Sequence, residues 1–190
     1  MLLPPSFVVL FVGYAAALLV LLVLLLAIAR ARGLDRWWAA GTAVSLAVIL
    51  ALTAPVGALV DDWAGAADAF AHRFTDPGVL VQALADVHLN AERQANVLLF
   101  IPAGLAGALL TRSFVPVAVA LSGLSWLIEL IQSMSTTRYG AAEDWVYNTT
   151  GALIGVMVAA LWRLATRSRE ETPAEDTTIR LPAVPARGAR

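Results

Sequence analysis

Five long apolar runs, separated by polar connections, dominate this chain. The runs cover residues 7–29, 38–60, 94–110, 114–134 and 145–164. A helix must supply roughly 20 apolar residues to cross a hydrocarbon core of about 30 Å. The pattern therefore predicts an all-α membrane protein, built as a bundle of about five transmembrane helices. Pro55 is predicted to bend or end the second helix, and Pro102 to interrupt the third.

The polar connection after the second run is predicted to be structured. Residues 61–93 combine acidic side chains with Trp63 and Phe70, and the pair Pro77-Gly78 is typical of a turn. This predicts two amphipathic helical pieces at the membrane surface. The chain then divides into two N-terminal transmembrane helices (1–60), an extracytoplasmic loop (61–93), a three-helix core (94–164) and a disordered cytoplasmic tail (165–190).

The composition agrees with a membrane protein. Hydrophobic residues make up 59% of the chain and charged residues only 14%, against roughly a quarter in soluble proteins. Membrane lipids are therefore expected partners. A net charge of -1 without a basic stripe argues against nucleic acid. The chain has no cysteine, and His72 and His88 are isolated, so we expect no metal site and no cofactor.

The arginines predict an orientation in the membrane. They cluster in the first connection, the third connection and the segment after the last run: Arg30, Arg32, Arg36, Arg112, Arg163, Arg167 and Arg169. The positive-inside rule assigns these sites to the cytoplasm. We therefore expect a multi-pass protein of the cell membrane with its N-terminus outside and its C-terminus in the cytoplasm. A cleaved signal peptide is the alternative for the first run, but no positive segment precedes it.

Several polar residues interrupt the last three runs. In the predicted orientation, Asn96, Glu129, Gln132 and Asn148 all lie near the outer membrane face. Polar groups are costly in hydrocarbon and normally face the bundle interior. At about 100° per residue, Asp144 and Asn148 share an arc of about 60° with two glycines, and Glu129 and Gln132 share one of about 80° with two serines. The sequence thus predicts a shared polar site with six candidate residues: Asn96, Glu129, Gln132, Arg138, Asp144 and Asn148.

Each of these residues also has a structural interpretation. Helix packing is the role expected of Phe100, Pro102, Gly104, Gly151 and Gly155, and the two last glycines match the small-residue spacing of packed membrane helices. Interhelical hydrogen bonds alone would explain the amides, and Glu129 could form a purely structural ion pair with Arg138. Asp144 is placed to cap the fifth helix. The sequence leaves these alternatives open.

The second half of the chain resembles the VanZ-like family. The resemblance rests on Asn96-Val-Leu-Leu-Phe100-Ile-Pro102-Ala-Gly104, Glu129-Leu-Ile-Gln132, Arg138 and Asp144-Trp-Val-Tyr-Asn148-Thr-Thr-Gly151-Ala-Leu-Ile-Gly155. It covers about residues 90–164, and the first two runs match only in being hydrophobic. The resemblance implies a small bacterial multi-span membrane protein in a family named for a teicoplanin resistance factor. A link to glycopeptide resistance is an expectation from that name.

Three functions are compatible with these features. The first is a non-enzymatic envelope protein whose outward-facing polar pocket binds a cell-wall precursor or a glycopeptide-type ligand. The second is an enzyme of the outer leaflet acting on a lipid-linked or phosphate-containing substrate, with Glu129 or Asp144 as general base and Arg138 on a phosphate. The third is a transporter, although the inner halves of the runs are almost purely apolar.

Overall fold

Helices account for nearly all of the structure. The computed structural model of the chain describes residues 19–20, 22–53, 60–85, 91–136 and 140–170. Most of the first predicted span, Pro55 and the predicted tail from residue 171 onward lie outside these ranges. The helices in chain order are α1 (Leu22–Ala31), α2 (Arg36–Thr53), α3 (Trp63–Thr75), α4 (Pro77–Ala85), α5 (Ala91–Thr111), α6 (Phe114–Ser133) and α7 (Ala142–Glu170).

The predicted membrane bundle is confirmed at the level of fold class. Within the described residues, α2, α5, α6 and α7 are each long and apolar enough to cross a membrane, and α1 is a shorter apolar helix. No strand occurs in these ranges. Large apolar side chains such as Val115, Val119 and Leu161 are exposed on the outside of the bundle. A protein spanning a bilayer presents such a surface to lipid.

Two expectations about the spans need correction. The third span is not interrupted, because α5 runs through Pro102 as one helix. Pro102 is exposed on the bundle surface, and prolines are tolerated within membrane helices. The last helix is longer than predicted, since α7 begins three residues before Trp145 and continues six beyond Leu164.

Helix α5 lies at the centre and contacts α2, α6 and α7. One apolar cluster joins all four helices through Ile49, Phe100, Leu121 and Ala152, and the side chain of Phe100 is fully buried. Helix α2 is therefore part of the packed bundle, because Ile49 belongs to this core.

The bundle has two distinct ends. The end that carries α3 and α4 is called the loop end below, and the opposite end, with the α1–α2 and α5–α6 turns, is called the arginine end. At the arginine end, α1 terminates with two backbone hydrogen bonds, from Leu34 N to Ala29 O (2.8 Å) and from Gly33 N to Arg30 O (3.2 Å). Gly33 has a φ of +63°, so this is a Schellman motif, which favours glycine at that position.

At the loop end, the predicted amphipathic pieces form α3 and α4. The Asp62 carboxylate accepts the N–H of Gly65 at the start of α3, and Asp76 accepts the N–H of Gly78 at the start of α4. The break therefore falls at Asp76, one residue before the predicted turn. Helix α3 packs on α6 through Phe70, whose ring lies 5.3 Å from that of Trp126.

Candidate functional site

A cavity of about 480 Å³ opens at the loop end between α2, α5, α6 and α7. Five of the six residues predicted to form a polar site line it: Asn96, Glu129, Gln132, Asp144 and Asn148. The sixth, Arg138, lies outside the described residues. The remaining lining residues are Leu52, Thr53, Glu92, Ala95, Leu98 and Leu99.

Asn148 occupies the buried side of this cavity and is only 3% exposed. Its side-chain Nδ2 donates to the hydroxyl of Ser125 at 3.0 Å, which ties α7 to α6. Its Oδ1 has no hydrogen-bond partner among the described residues. A buried acceptor left unpaired costs roughly 1–3 kcal/mol. Asn148 therefore lines the cavity and carries a buried acceptor that has no partner in the described part of the chain.

Asp144 links α7 to α5. Its carboxylate accepts a hydrogen bond of 2.9 Å from Nδ2 of Asn96. Because α7 begins at Ala142, Asp144 lies within the first helical turn and is not the N-cap, so the capping prediction is wrong. A carboxylate in this position still interacts favourably with the positive end of the helix dipole.

Glu129 on α6 is 2% exposed. Its Oε2 accepts the backbone N–H of Ala141 at 3.0 Å, just before α7 begins. One turn away, the Ser133 hydroxyl donates to the backbone carbonyl of Glu129 at 2.9 Å. Gly140 passes so close to this turn that a Cβ there would clash with the Glu129 carbonyl and the Ser133 hydroxyl. The carboxylate is therefore held in place by the chain entering α7.

Gln132 connects the site to α2, because its Nε2 donates to the carbonyl of Thr53 at 2.9 Å. The sequence interpretation missed this helix as part of the site. It also missed Glu92, which was assigned to the loop but lies in the first turn of α5. A polar residue four positions before Asn96 lies on the same helix face, and that spacing was the available signal. The Thr53 carbonyl is a backbone group, so the pattern of side chains along the sequence could not predict its role.

The residues assigned to helix packing occupy three different places in the bundle. Gly151 and Gly155 lie against the backbones of Val97 and Ile101, and Gly104 lies against the backbone of Ala152, so α5 and α7 touch along a seam without side chains between them. Phe100 is buried in the core of the bundle. Pro102 is exposed on the surface of α5, so it is not part of the buried core.

The chemistry of the cavity is dominated by acceptors. Three carboxylates, Glu92, Glu129 and Asp144, line it together with Asn148, whose Oδ1 has no hydrogen-bond partner in the part of the chain that the structure describes. In the described ranges, no group of three acidic or imidazole side chains is arranged to hold a metal ion. A ligand that donates hydrogen bonds or carries positive charge would complement this lining.

Comparison with known proteins identifies the family of the chain. A family model described as VanZ/LLP1 matches residues 11–163. The chain belongs to the VanZ/LLP1 family. No curated protein and no solved structure matches it. The matched residues include α1 and α2, so the VanZ/LLP1 region is wider than the three-helix resemblance found in the sequence.

Proposed function

We propose that this VanZ/LLP1 protein is a non-enzymatic binding protein of the cell envelope, whose loop-end cavity holds the amino group of its ligand. The observation that carries the proposal concerns buried Asn148, whose Oδ1 has no hydrogen-bond partner in the described part of the chain. It lies in a lining that also contains the carboxylates of Glu129 and Asp144. An ammonium group offers three donors and one positive charge, which match these acceptors.

The class of ligand follows from this chemistry and from the membrane setting. A cell-wall precursor with an amine in its peptide, or a glycopeptide of the teicoplanin type, would present an ammonium group at a membrane face. Binding a glycopeptide would also account for a link to resistance, because a bound antibiotic is removed from its target. The supporting fact is that three carboxylates, Glu92, Glu129 and Asp144, lie in the described part of the cavity lining.

Binding is favoured over transport by the packing beneath the cavity. Leu52, Asn96 and Asn148 line the cavity, and the residues one helical turn deeper belong to the apolar core. These deeper residues are Ile49, Phe100 and Ala152, each with a relative exposure of 0%. A polar solute would have to open this core to pass further along the bundle.

The test measures ligand binding by the purified full-length chain in nanodiscs of phosphatidylcholine. The probes are teicoplanin, an amine-bearing peptidoglycan precursor lipid, and the same precursor with its amine acetylated. At least one amine-bearing probe is expected to bind, and acetylation is expected to weaken precursor binding. Asp144→Asn removes one negative charge and should weaken binding about tenfold, the effect of roughly 1.4 kcal/mol.

The matched control is Thr149→Val on the same helix. Thr149 shares a hydrogen bond of 3.0 Å with Ser122 on α6 but does not line the cavity. This variant should bind as the unmodified protein does. The proposal is overturned if no probe binds, if Asp144→Asn binds with unchanged affinity, or if the protein converts a probe to product.

A further inference from the structure

A second cavity, of about 660 Å³, lies at the arginine end of the bundle. It is enclosed by the α1–α2 turn, the last turn of α5 and the last turns of α7. Its lining includes Asp35, Trp38, Leu109, Arg112, Arg163 and Arg167. The acceptor-rich cavity at the loop end contains none of these residues.

The charge of this second cavity is positive. Arg112, Arg163 and Arg167 contribute three guanidinium groups, and Asp35 contributes one carboxylate. The Asp35 carboxylate is already engaged, because it accepts the backbone N–H of Trp37 at 2.8 Å at the start of α2. Three arginines around one recess are suited to a phosphate group, which guanidinium groups contact through paired hydrogen bonds.

One of the three arginines is held in position by the fold. Nη2 of Arg163 donates to the carbonyl of Leu109 at 2.9 Å. Its guanidinium also lies 5.5 Å from the centre of the Phe114 ring. A side chain fixed in this way loses less conformational entropy when a ligand arrives. Arg163 therefore forms the ordered wall of the cavity, while Arg112 and Arg167 are exposed at its rim.

The backbone of Arg112 gives independent support. Arg112 has a φ of 58°, in the left-handed region that favours glycine. It is the only residue other than glycine with a positive φ in the described part of the chain. Local stability alone would favour glycine at this turn, and strained positions of this kind cluster at binding sites.

We propose that this cavity binds the phosphate of an anionic phospholipid headgroup. Its walls favour a lipid over a free phosphate ion, because Trp38, Leu109 and Leu110 add an apolar side to the charged one. Trp162, at 59% exposure, stands at the rim, where membrane proteins place tryptophan at the level of the headgroups. Basic recesses between transmembrane helices commonly hold such headgroups.

The experiment measures retention of phosphatidylglycerol by the full-length chain in native mass spectrometry, with phosphatidylcholine as the neutral reference lipid. The double variant Arg112→Gln/Arg167→Gln removes the two exposed charges of the cavity and leaves Arg163 in place. Each arginine is worth about a fivefold change in affinity, so the variant should bind phosphatidylglycerol about 30-fold more weakly.

The control is Arg30→Gln/Arg32→Gln, which removes the same charge from exposed positions of the same end outside the cavity. It should reduce affinity less than threefold, about 0.65 kcal/mol. The single variant Arg112→Gly separates binding from folding. It relieves the positive φ, so the protein should resist unfolding at least as well as before, yet bind phosphatidylglycerol more weakly.

Three outcomes overturn the proposal. Equal retention of phosphatidylcholine, whose phosphate is balanced by the choline cation, would show a cavity without preference for a headgroup of net negative charge. Complete displacement of the lipid by excess inorganic phosphate would identify the free ion as the ligand. An equal loss of binding in the control and cavity variants would show that only the net charge of this end matters.

Discussion

At the scale of single residues, Asn148 distinguishes a binding role from a structural one. Asn148→Leu removes a buried acceptor that has no partner in the described structure. Because an unpaired buried acceptor is itself costly, this variant should lose less than about 1 kcal/mol of stability, or gain some. The freed Ser125 hydroxyl can bond to a carbonyl one turn earlier in its own helix. Binding of an amine-bearing probe should fall about tenfold or more.

Two measurements check this prediction together: unfolding in sodium dodecyl sulfate followed by circular dichroism, and the nanodisc binding assay. Thr149→Val is again the reference, because it changes a polar contact between the same two helices outside the cavity. A large loss of stability with unchanged binding would assign Asn148 to the architecture of the bundle and leave the cavity without its central acceptor.

The residues of the site were partly visible in the sequence. Asn96, Glu129 and Asn148 stand out because a polar side chain within an apolar span is costly wherever it does not face other polar groups. The hydrogen bonds between them were not predictable, since they depend on helix rotation and register. The pairing of Asn148 with Ser125, for example, requires knowing which turns of α6 and α7 lie side by side.

At the scale of helices, the seam between α5 and α7 should be the part of the bundle least tolerant of added volume. A Cβ at Gly155 would clash with the carbonyl of Ile101 and lie 2.7 Å from the backbone nitrogen of Leu105. Gly155→Ala should therefore destabilise the protein by about 1–3 kcal/mol, as overpacking generally does. Detergent unfolding monitored by circular dichroism measures the loss.

Gly123 provides the matched control for this prediction. It lies on exposed α6 surface, and a Cβ there would meet nothing within 4 Å. Gly123→Ala should leave stability unchanged or raise it by up to about 1 kcal/mol, because alanine is the better helix former. Equal effects of the two substitutions would mean that the close approach at Gly155 does not support the fold.

Helix α3 should be held on the bundle by two kinds of contact. Nη1 of Arg73 donates to the carbonyl of Gly140 at 2.6 Å, and the ring of Phe74 lies 5.8 Å from that of Trp145. Arg73→Gln removes the charged hydrogen bond and should make the amide hydrogens of α3 exchange about tenfold faster. The amides in the middle of α5 should keep their protection.

Hydrogen–deuterium exchange with mass spectrometry resolves this effect by segment. Asp68→Asn changes a charge on the exposed surface of α3 without touching the contact to Gly140, so its exchange pattern should stay the same. If Arg73→Gln instead increases exchange throughout the bundle, α3 is part of one cooperative unit with the spans.

The ends of the helices were the least predictable feature at this scale. Hydropathy placed the start of α7 at Trp145, where the apolar run begins, whereas the backbone begins its helix at Ala142. Helix ends depend on which backbone groups find partners, and the acidic first turn of α7 is polar but fully helical. The long apolar stretches, in contrast, could be predicted as helices, because a backbone in lipid must pair its N–H and C=O groups in hydrogen bonds within the protein.

At the scale of the whole molecule, the two ends of the bundle have opposite chemistry. The loop-end cavity is lined by three carboxylates, and the cavity at the arginine end by three guanidinium groups. Between them lies an apolar core that includes Phe100 and Ala103, both almost completely buried. The two proposed sites can therefore be tested separately, since a substitution in either cavity leaves the lining of the other unchanged.

The charge difference between the two ends also predicts the orientation of the protein in the membrane. Arg112, Arg163 and Arg167 meet at one end, and such clusters remain in the cytoplasm during insertion. The chain contains no cysteine, so single-cysteine variants carry one label each. Ala64→Cys at the loop end should react with a membrane-impermeant maleimide on intact cells, whereas Thr166→Cys should react only after permeabilisation. Labelling of Thr166→Cys on intact cells would reverse the orientation and place the arginine cavity in the outer leaflet.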